Sequence, residues 1–289
     1  MGSFCSPNNQ EIYDKTKTCY TLENLKLIAK NYNATIINKK ERIHLSVPKK
    51  ELLRQLHETL RVPEHTWYKL NFMMRTPTPP GVKEKLFESF KPEKPTSWKA
   101  DPNAWLDTHN ILNVMNQYED KYHSFKFLGV HPLDFSHRFS ADMCVGDTMC
   151  KFDLKEMLSS GKTQCAAVLN LSYHNQPGSH WVCLYVGLVP SLPNFGCYYI
   201  DSGASPAPSE VKRFAQMVKS QINAHYSAVE VRQFKIKENR RQFQYENTEC
   251  GMFAMYFIVQ FLERRSFKSI INSNINDKSV YALRDAYYL

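Results

Sequence analysis

The hydrophobic and polar positions of this chain change period several times, and each change marks an element. Residues 252–262 are apolar almost without interruption and contain no Pro or Gly, which predicts a buried helix over 250–264. It is entered from a polar, turn-prone octet, Gln244-Tyr245-Glu246-Asn247-Thr248-Glu249-Cys250-Gly251. Upstream, short apolar runs at 165–172, 180–188 and 197–201 predict strands. A helix follows over 209–225 and a further strand over 228–236. The spacing of Leu106, Ile111, Val114, Met115 and Tyr118 predicts a helix over 103–122. Nearer the start, Thr21 is placed to cap a helix over 22–31, with Leu25, Ile28 and Ala29 on one face. Residues 34–47 alternate like a strand, and Pro48 opens a helix running to Leu60. Residues 1–18 are polar and read as poorly ordered. Residues 75–102, rich in Pro, Lys and Glu, read as a linker with a short helix at 82–90. One sheet with helices on both sides gives an α+β fold without an internal repeat.

Composition sharpens the division. At 289 residues and 43% hydrophobic, the chain can bury a full core as one large or two modest domains. Residues 1–100 hold 18 Lys/Arg against 10 Asp/Glu, so a net +8 of the chain's +9 lies there. The boundaries expected are therefore a basic N-terminal arm and linker at 1–100 and a second domain at 101–289. That charge is either a solvated face or a surface for nucleic acid or an acidic partner. No apolar stretch has the length of a membrane span and no signal peptide is seen, which reads as a soluble intracellular protein.

Eight cysteines, Cys5, Cys19, Cys144, Cys150, Cys165, Cys183, Cys197 and Cys250, are scattered without a Cys-x-x-Cys pair. Reduced thiols are expected rather than a disulfide framework. His137, Cys144 and Cys150 fall close together but lack a fourth ligand, so no metal and no cofactor is expected. The opening Met1-Gly2-Ser3-Phe4-Cys5-Ser6 fits an N-myristoylation pattern, with Cys5 available for a second acyl group.

The chemistry gathers around the apolar helix. A thiol at a helix start is favoured as a thiolate by the first amide N–H groups and the positive end of the dipole. Cys250 has that place. A nucleophilic thiol also needs a base, and His180 opens one strand while Asp201 ends the next. Each alone has an ordinary structural reading as core cysteine, strand-edge histidine or turn former. Nucleophile, base and orienting carboxylate together point to covalent acyl transfer.

These blocks resemble a known family. His180-Trp181 within a strand, Tyr198-Tyr199-Ile200-Asp201-Ser202, Gln244 six residues before Cys250-Gly251, and Trp105-Leu106-Asp107-Thr108-His109-Asn110-Ile111 are similar to blocks of the ubiquitin-like-protein-specific cysteine proteases. That family includes the SUMO proteases and adenovirus proteinase. Gly178-Ser179-His180-Trp181-Val182 and Thr248-Glu249-Cys250-Gly251 look closest to proteases of large DNA viruses, among them the African swine fever virus polyprotein protease. The resemblance covers roughly 103–265. It implies a papain-like, circularly rearranged core with a central mixed β-sheet flanked by helices, carrying an N-terminal extension.

Position by position, the resemblance implies Cys250 as nucleophile, His180 as general base and acid, Asp201 as orienting carboxylate and Gln244 as oxyanion donor. Asn247, three residues before Cys250, is also an amide donor and competes for that role. Trp181, Trp105 and Asn247 are expected on the substrate side, where the Trp181 indole narrows the cleft to an extended Gly-Gly tail. The implied substrate is a viral structural polyprotein or a ubiquitin-like modifier, and the implied location is host cytoplasm, virion or nucleus. A silent binding module holding nucleic acid, and an acetyltransferase on the same triad, are the competing readings. Adenovirus proteinase uses DNA as a cofactor, a precedent for nucleic acid at the basic region by resemblance only.

Overall fold

A computed structural model describes residues 4–289, in two compact units: residues 4–93 with 285–289, and residues 94–284. Gly2 of the myristoylation pattern lies outside the described residues.

The first unit carries α1 (Gln10–Thr16), α2 (Leu22–Thr35), α3 (Lys49–Leu60), α4 (Asn71–Arg75) and α5 (Val82–Phe87). Thr21 caps α2, its hydroxyl accepting from the Asn24 amide at 3.1 Å. Leu25, Ile28 and Ala29 of α2 and Leu52 and Leu56 of α3 pack with Tyr20, Trp67, Leu86 and Phe90 into one core. Three expectations fail in this unit. The opening residues are not loose: α1 forms among them, and Cys5, Ser6, Thr18 and Cys19 are buried. The 75–102 stretch is not simply linker, since Leu86, Ser89 and Phe90 are buried. No strand forms over 34–47. There the Asn33 side chain bonds both the N–H and the C=O of Ile43 at 2.8 Å, and the Arg42 guanidinium takes the Ile36 carbonyl. Side chains satisfy the backbone groups a partner strand would have taken.

In the second unit α6 (Thr108–Lys121) precedes a five-stranded sheet. A capping box between Asp107 and Asn110 sets the α6 start, five residues later than periodicity suggests. The strands are β1 (Phe125–Pro132), β2 (Gln164–Asn170), β3 (Trp181–Gly187), β4 (Gly196–Ile200) and β5 (Lys235–Glu238), in that spatial order. The outer pairs are parallel and the inner pairs antiparallel, so the sheet is mixed. Between β1 and β2 lie α7 (Asp147–Cys150) and α8 (Leu154–Ser159). Next come α9 (Ser209–His225) and α10 (Ala228–Val231), then α11 (Cys250–Leu262), α12 (Phe267–Ile271) and α13 (Asp277–Ala282); α14 (Arg284–Tyr287) starts at the last residue of this unit and continues into residues of the first. The strand expected over 228–236 gives way at its start to α10, which a Ser227–Glu230 capping box nucleates, and forms only from Lys235 onward, as β5.

Residues of β2, β3 and β4 are all buried, as strands covered on both faces must be. Leu184, Val186, Cys197 and Tyr199 pack against Val211, Phe214, Val218 and Ile222 of α9. On the opposite face Tyr185 stacks on Phe261 of α11, ring centroids 4.2 Å apart. The expectation of reduced thiols fails for four of the eight: Cys5 bonds Cys19 and Cys144 bonds Cys150, across 14 and 6 residues of chain. Cys5 is therefore not a free acylation site. Cys165, Cys183, Cys197 and Cys250 are free.

Candidate active site

Two buried strands and one buried helix converge on a single point. β3 begins one residue after His180, β4 ends one residue before Asp201, and α11 begins with Cys250. Antiparallel pairing puts the head of β3 beside the tail of β4, and α11 packs across β3. His180 Nε2 lies 2.7 Å from Asp201 Oδ1, and Cys250 contributes hydrogen bonding and charge to the same imidazole.

Asp201 is fully buried, yet burial does not neutralise it. Burial pushes the carboxyl up, while hydrogen bonding and charge from His180 and the Gly203 and Ser205 amides more than offset this and hold it below the usual carboxylate range. His180 follows the same contest with the opposite sign of charge. Burial disfavours its imidazolium, but bonds and charge from Asp201 and Cys250 prevail and raise it to about 10. Such an imidazole is charged at neutral pH, and Cys250 sits beside it at the N-terminus of a thirteen-residue helix. A helix N-terminus and a neighbouring cation are the surroundings in which a nucleophilic thiol is expected. Burial instead pushes the thiols of Cys165, Cys183 and Cys197 up, so they stay neutral.

Gln244 is 8% exposed and fixed at both ends. Its Oε1 accepts from the Ser202 hydroxyl at 2.6 Å and its Nε2 donates to the Glu246 carbonyl at 2.7 Å. Asn247 is exposed on the same loop. Trp181 is nearly buried; its indole donates to the Leu106 carbonyl at 3.0 Å and its ring lies against Gly251. A Cβ on Gly251 would sit 3.3 Å from Trp181 and 3.2 Å from Leu106, so the helix start and the indole approach as closely as glycine permits. Trp105, half exposed, Leu106, Trp181, Gly178, Ser179 and Tyr173 line a cleft of about 530 Å³.

Sequence reasoning missed three supporting residues. Asn239, 2% exposed, clamps the Asp201 backbone: its Oδ1 accepts from the Asp201 N–H at 2.9 Å and its Nδ2 donates to the Asp201 C=O at 2.7 Å. Ser202 orients Gln244. Arg284 pairs with Glu249, the neighbour of Cys250. None carries a local pattern, because each acts across 35 to 42 residues. The His137, Cys144 and Cys150 grouping is not a site: its two thiols are joined, and His137 stacks on His174.

Residues 165–289, a span that holds His180, Asp201, Gln244 and Cys250, match the Ulp1 protease family, C-terminal catalytic domain. That span is similar to a Ulp1-family catalytic domain, and the chain is a cysteine peptidase. A thiol protease of Acanthamoeba polyphaga mimivirus is 24% identical to the peptidase over 306 aligned positions, covering 99% of this chain and 93% of the relative. The cysteine protease of African swine fever virus is 28% identical over 187 positions, 62% of this chain and 66% of that one. The crystal structure of the African swine fever virus protease superposes with a TM-score of 0.65 at 16% identity, covering 99% of the peptidase chain and 96% of its own, and so has the same fold. Among the described residues no helix of the peptidase is long and apolar enough to cross a membrane.

Proposed function

We propose that this cysteine peptidase is an endopeptidase whose nucleophile is Cys250, with His180 as general base and acid and Asp201 as the orienting carboxylate. The observation that carries the reading is the direct hydrogen bond between His180 and the buried Asp201 carboxylate, beside a thiol at the start of α11. Cys250 attacks the scissile carbonyl as thiolate, and the His180 imidazolium gives its proton to the leaving amine. Water, deprotonated by the imidazole, then releases the acyl group. Gln244 donates to the tetrahedral oxyanion beside the Cys250 N–H, a contribution on the order of 3 kcal/mol. Its fixed side chain supports this over Asn247, which is exposed and unanchored.

The substrate reading is cleavage after a small-residue motif of the Gly-Gly-X type. Trp181 and Leu106 line the cleft, and an extended glycine backbone, having no side chains, can run closest along such a wall. Viral relatives named as cysteine or thiol proteases support a viral polyprotein as substrate, and the name SUMO-1 cysteine protease carried by some supports a ubiquitin-like modifier as the alternative. Assaying Gly-Gly-X peptides beside SUMO and ubiquitin fusions separates the two. Cleavage of the peptides after the second glycine supports the proposal, and hydrolysis confined to fusions moves it to modifier processing. No cleavage of any, by protein whose Cys250 alkylates normally, contradicts it.

A further inference from the structure

Glu249, the residue before the nucleophile, carries a buried carboxylate. It is 2% exposed and meets the 5% exposed Arg284 in a forked pair, Nη2 to Oε1 at 2.6 Å and Nε to Oε2 at 3.1 Å. The remaining guanidinium donors go to the Pro102 carbonyl at 2.8 Å and the Ala104 carbonyl at 3.4 Å. The guanidinium also lies over Trp98, 4.1 Å from the ring centroid, and 5.2 Å from that of Tyr281. Ala104 leads into Trp105 and Leu106, and Leu106 holds the Trp181 indole beside His180. One side chain thus ties the residue before Cys250 to the segment that supports the cleft wall.

The charges around this pair are few. His180 and Asp201 face the thiol from the sheet side. Glu246, on the same loop, and Asp277 and Lys278, at the head of α13, share a polar cleft with Thr248 and Glu249. Asp277 also holds the Tyr245 N–H at 2.9 Å. Of these neighbours only Lys278 is a permanent cation, and it is exposed. Without Arg284 the buried Glu249 carboxylate would keep the Thr248 hydroxyl, which donates to its Oε1 at 3.1 Å, but would have no cation paired with it, one residue from a group that must become negative. Like charge so placed opposes ionisation.

We propose that Arg284 is a positioning residue: by neutralising Glu249 it leaves the neighbouring Cys250 free to ionise, and through Pro102 and Ala104 it fixes the nucleophile loop against the cleft wall. The proposal rests on Cys250 being the nucleophile. Lysine cannot replace the fork, because a point charge on a flexible stem cannot serve the carboxylate and two carbonyls together.

The test measures iodoacetamide alkylation of Cys250 against pH by peptide mapping, with kcat and KM on a cleaved Gly-Gly-X peptide, in the full chain and its variants. Arg284→Met should raise the alkylation midpoint by about one pH unit and Glu249→Gln, which leaves the guanidinium unpaired, should lower it. The double variant should return near the wild-type midpoint. Arg284→Lys should keep the midpoint yet lose about tenfold in kcat, with KM within about twofold. Folded single variants with unmoved midpoints would overturn the proposal, because a purely structural staple would not move them in opposite directions. If Arg284→Met fails to fold, Glu249→Gln decides alone by its downward shift, and an unmoved midpoint there overturns the proposal as well. Failure of the nucleophile assignment would look different: Cys250→Ala would retain turnover, whatever the midpoints do.

Discussion

At the scale of single residues, the chemistry depends on two charges that burial opposes and partners restore. Asp201 stays ionised because His180 and two amides hold it, and His180 is charged because Asp201 and Cys250 hold it. The sign of the pH effect follows. A histidine raised from an ordinary value near 6.5 to about 10 stabilises the fold fully below about pH 6.5, and that contribution fades as pH climbs towards 10. The stability gap between wild type and His180→Gln, measured by denaturant titration, should therefore be widest at pH 6 and narrow by pH 10. Asp201 acts the other way, its contribution present above about pH 4 and lost on further acidification. Loss of Cys250 or His180 should abolish turnover to a similar extent, since groups acting as a unit are not additive, whereas Asp201→Asn should keep more rate than Asp201→Ala. Gln244→Ala should lower kcat about a hundredfold with little change in KM, while Asn247→Ala changes kcat by less than about threefold. The reverse ordering in steady-state kinetics would transfer the oxyanion role to Asn247.

At the scale of elements, the site could be read in sequence because its parts sit at element ends. His180 and Cys250 lie where a short apolar run and a long apolar helix begin, and Asp201 where another apolar run stops. Both patterns are local, and β3, β4, α9 and α11 formed within a few residues of expectation. Local reading failed where side chains far along the chain decide the outcome. β1 was missed because its pairing shifts register between Phe127 and Gly129, and because His131 and Pro132 end it without alternation. The 34–47 alternation was misread because Asn33 and Arg42 occupy its backbone groups. Asn239, Ser202 and Arg284 have no signature, since their partners are set only by the sheet. The tight start of α11 makes its own prediction. Gly251→Ala would press a methyl group against Trp181 and Leu106, so kcat/KM should fall at least tenfold, with a Tm loss of only a few degrees. Unchanged kcat/KM would mean that this approach does not shape the substrate channel.

At the scale of the whole molecule, the peptidase fold belongs to residues 94–284, which carry a net +4 over 191 residues, whereas the other unit carries a net +5 over 98 and is the more basic for its size. Composition revealed the charge but not the folding: a helical core and the Cys5–Cys19 bridge stand where a polar arm and reduced thiols were expected. Scattered cysteines carry no pairing signal, and chain closure over 14 residues becomes visible only once α1 and its flanks are placed. We propose that this basic unit recruits large anionic or acidic partners, leaving bond cleavage to the peptidase unit. Neutralising Lys39, Lys40, Arg42, Lys49 and Lys50 together should weaken binding to DNA, RNA or an acidic protein and flatten its salt dependence, with short-peptide cleavage unchanged. Full-length protein without any salt-sensitive affinity for these partners would leave the charge as a solvated face.

The central claim, that Cys250 performs covalent chemistry in a Cys–His–Asp arrangement, is tested most directly by trapping the enzyme with a Gly-Gly peptide bearing a C-terminal vinyl sulfone and mapping the adduct by mass spectrometry. One equivalent should attach at Cys250, in step with loss of peptidase activity. Cys165, Cys183 and Cys197, whose buried thiols stay protonated, should be untouched, and His180→Ala should slow the reaction at least a hundredfold. Inactivation with the adduct on another cysteine, or full labelling of Cys250 with activity intact, would contradict the account.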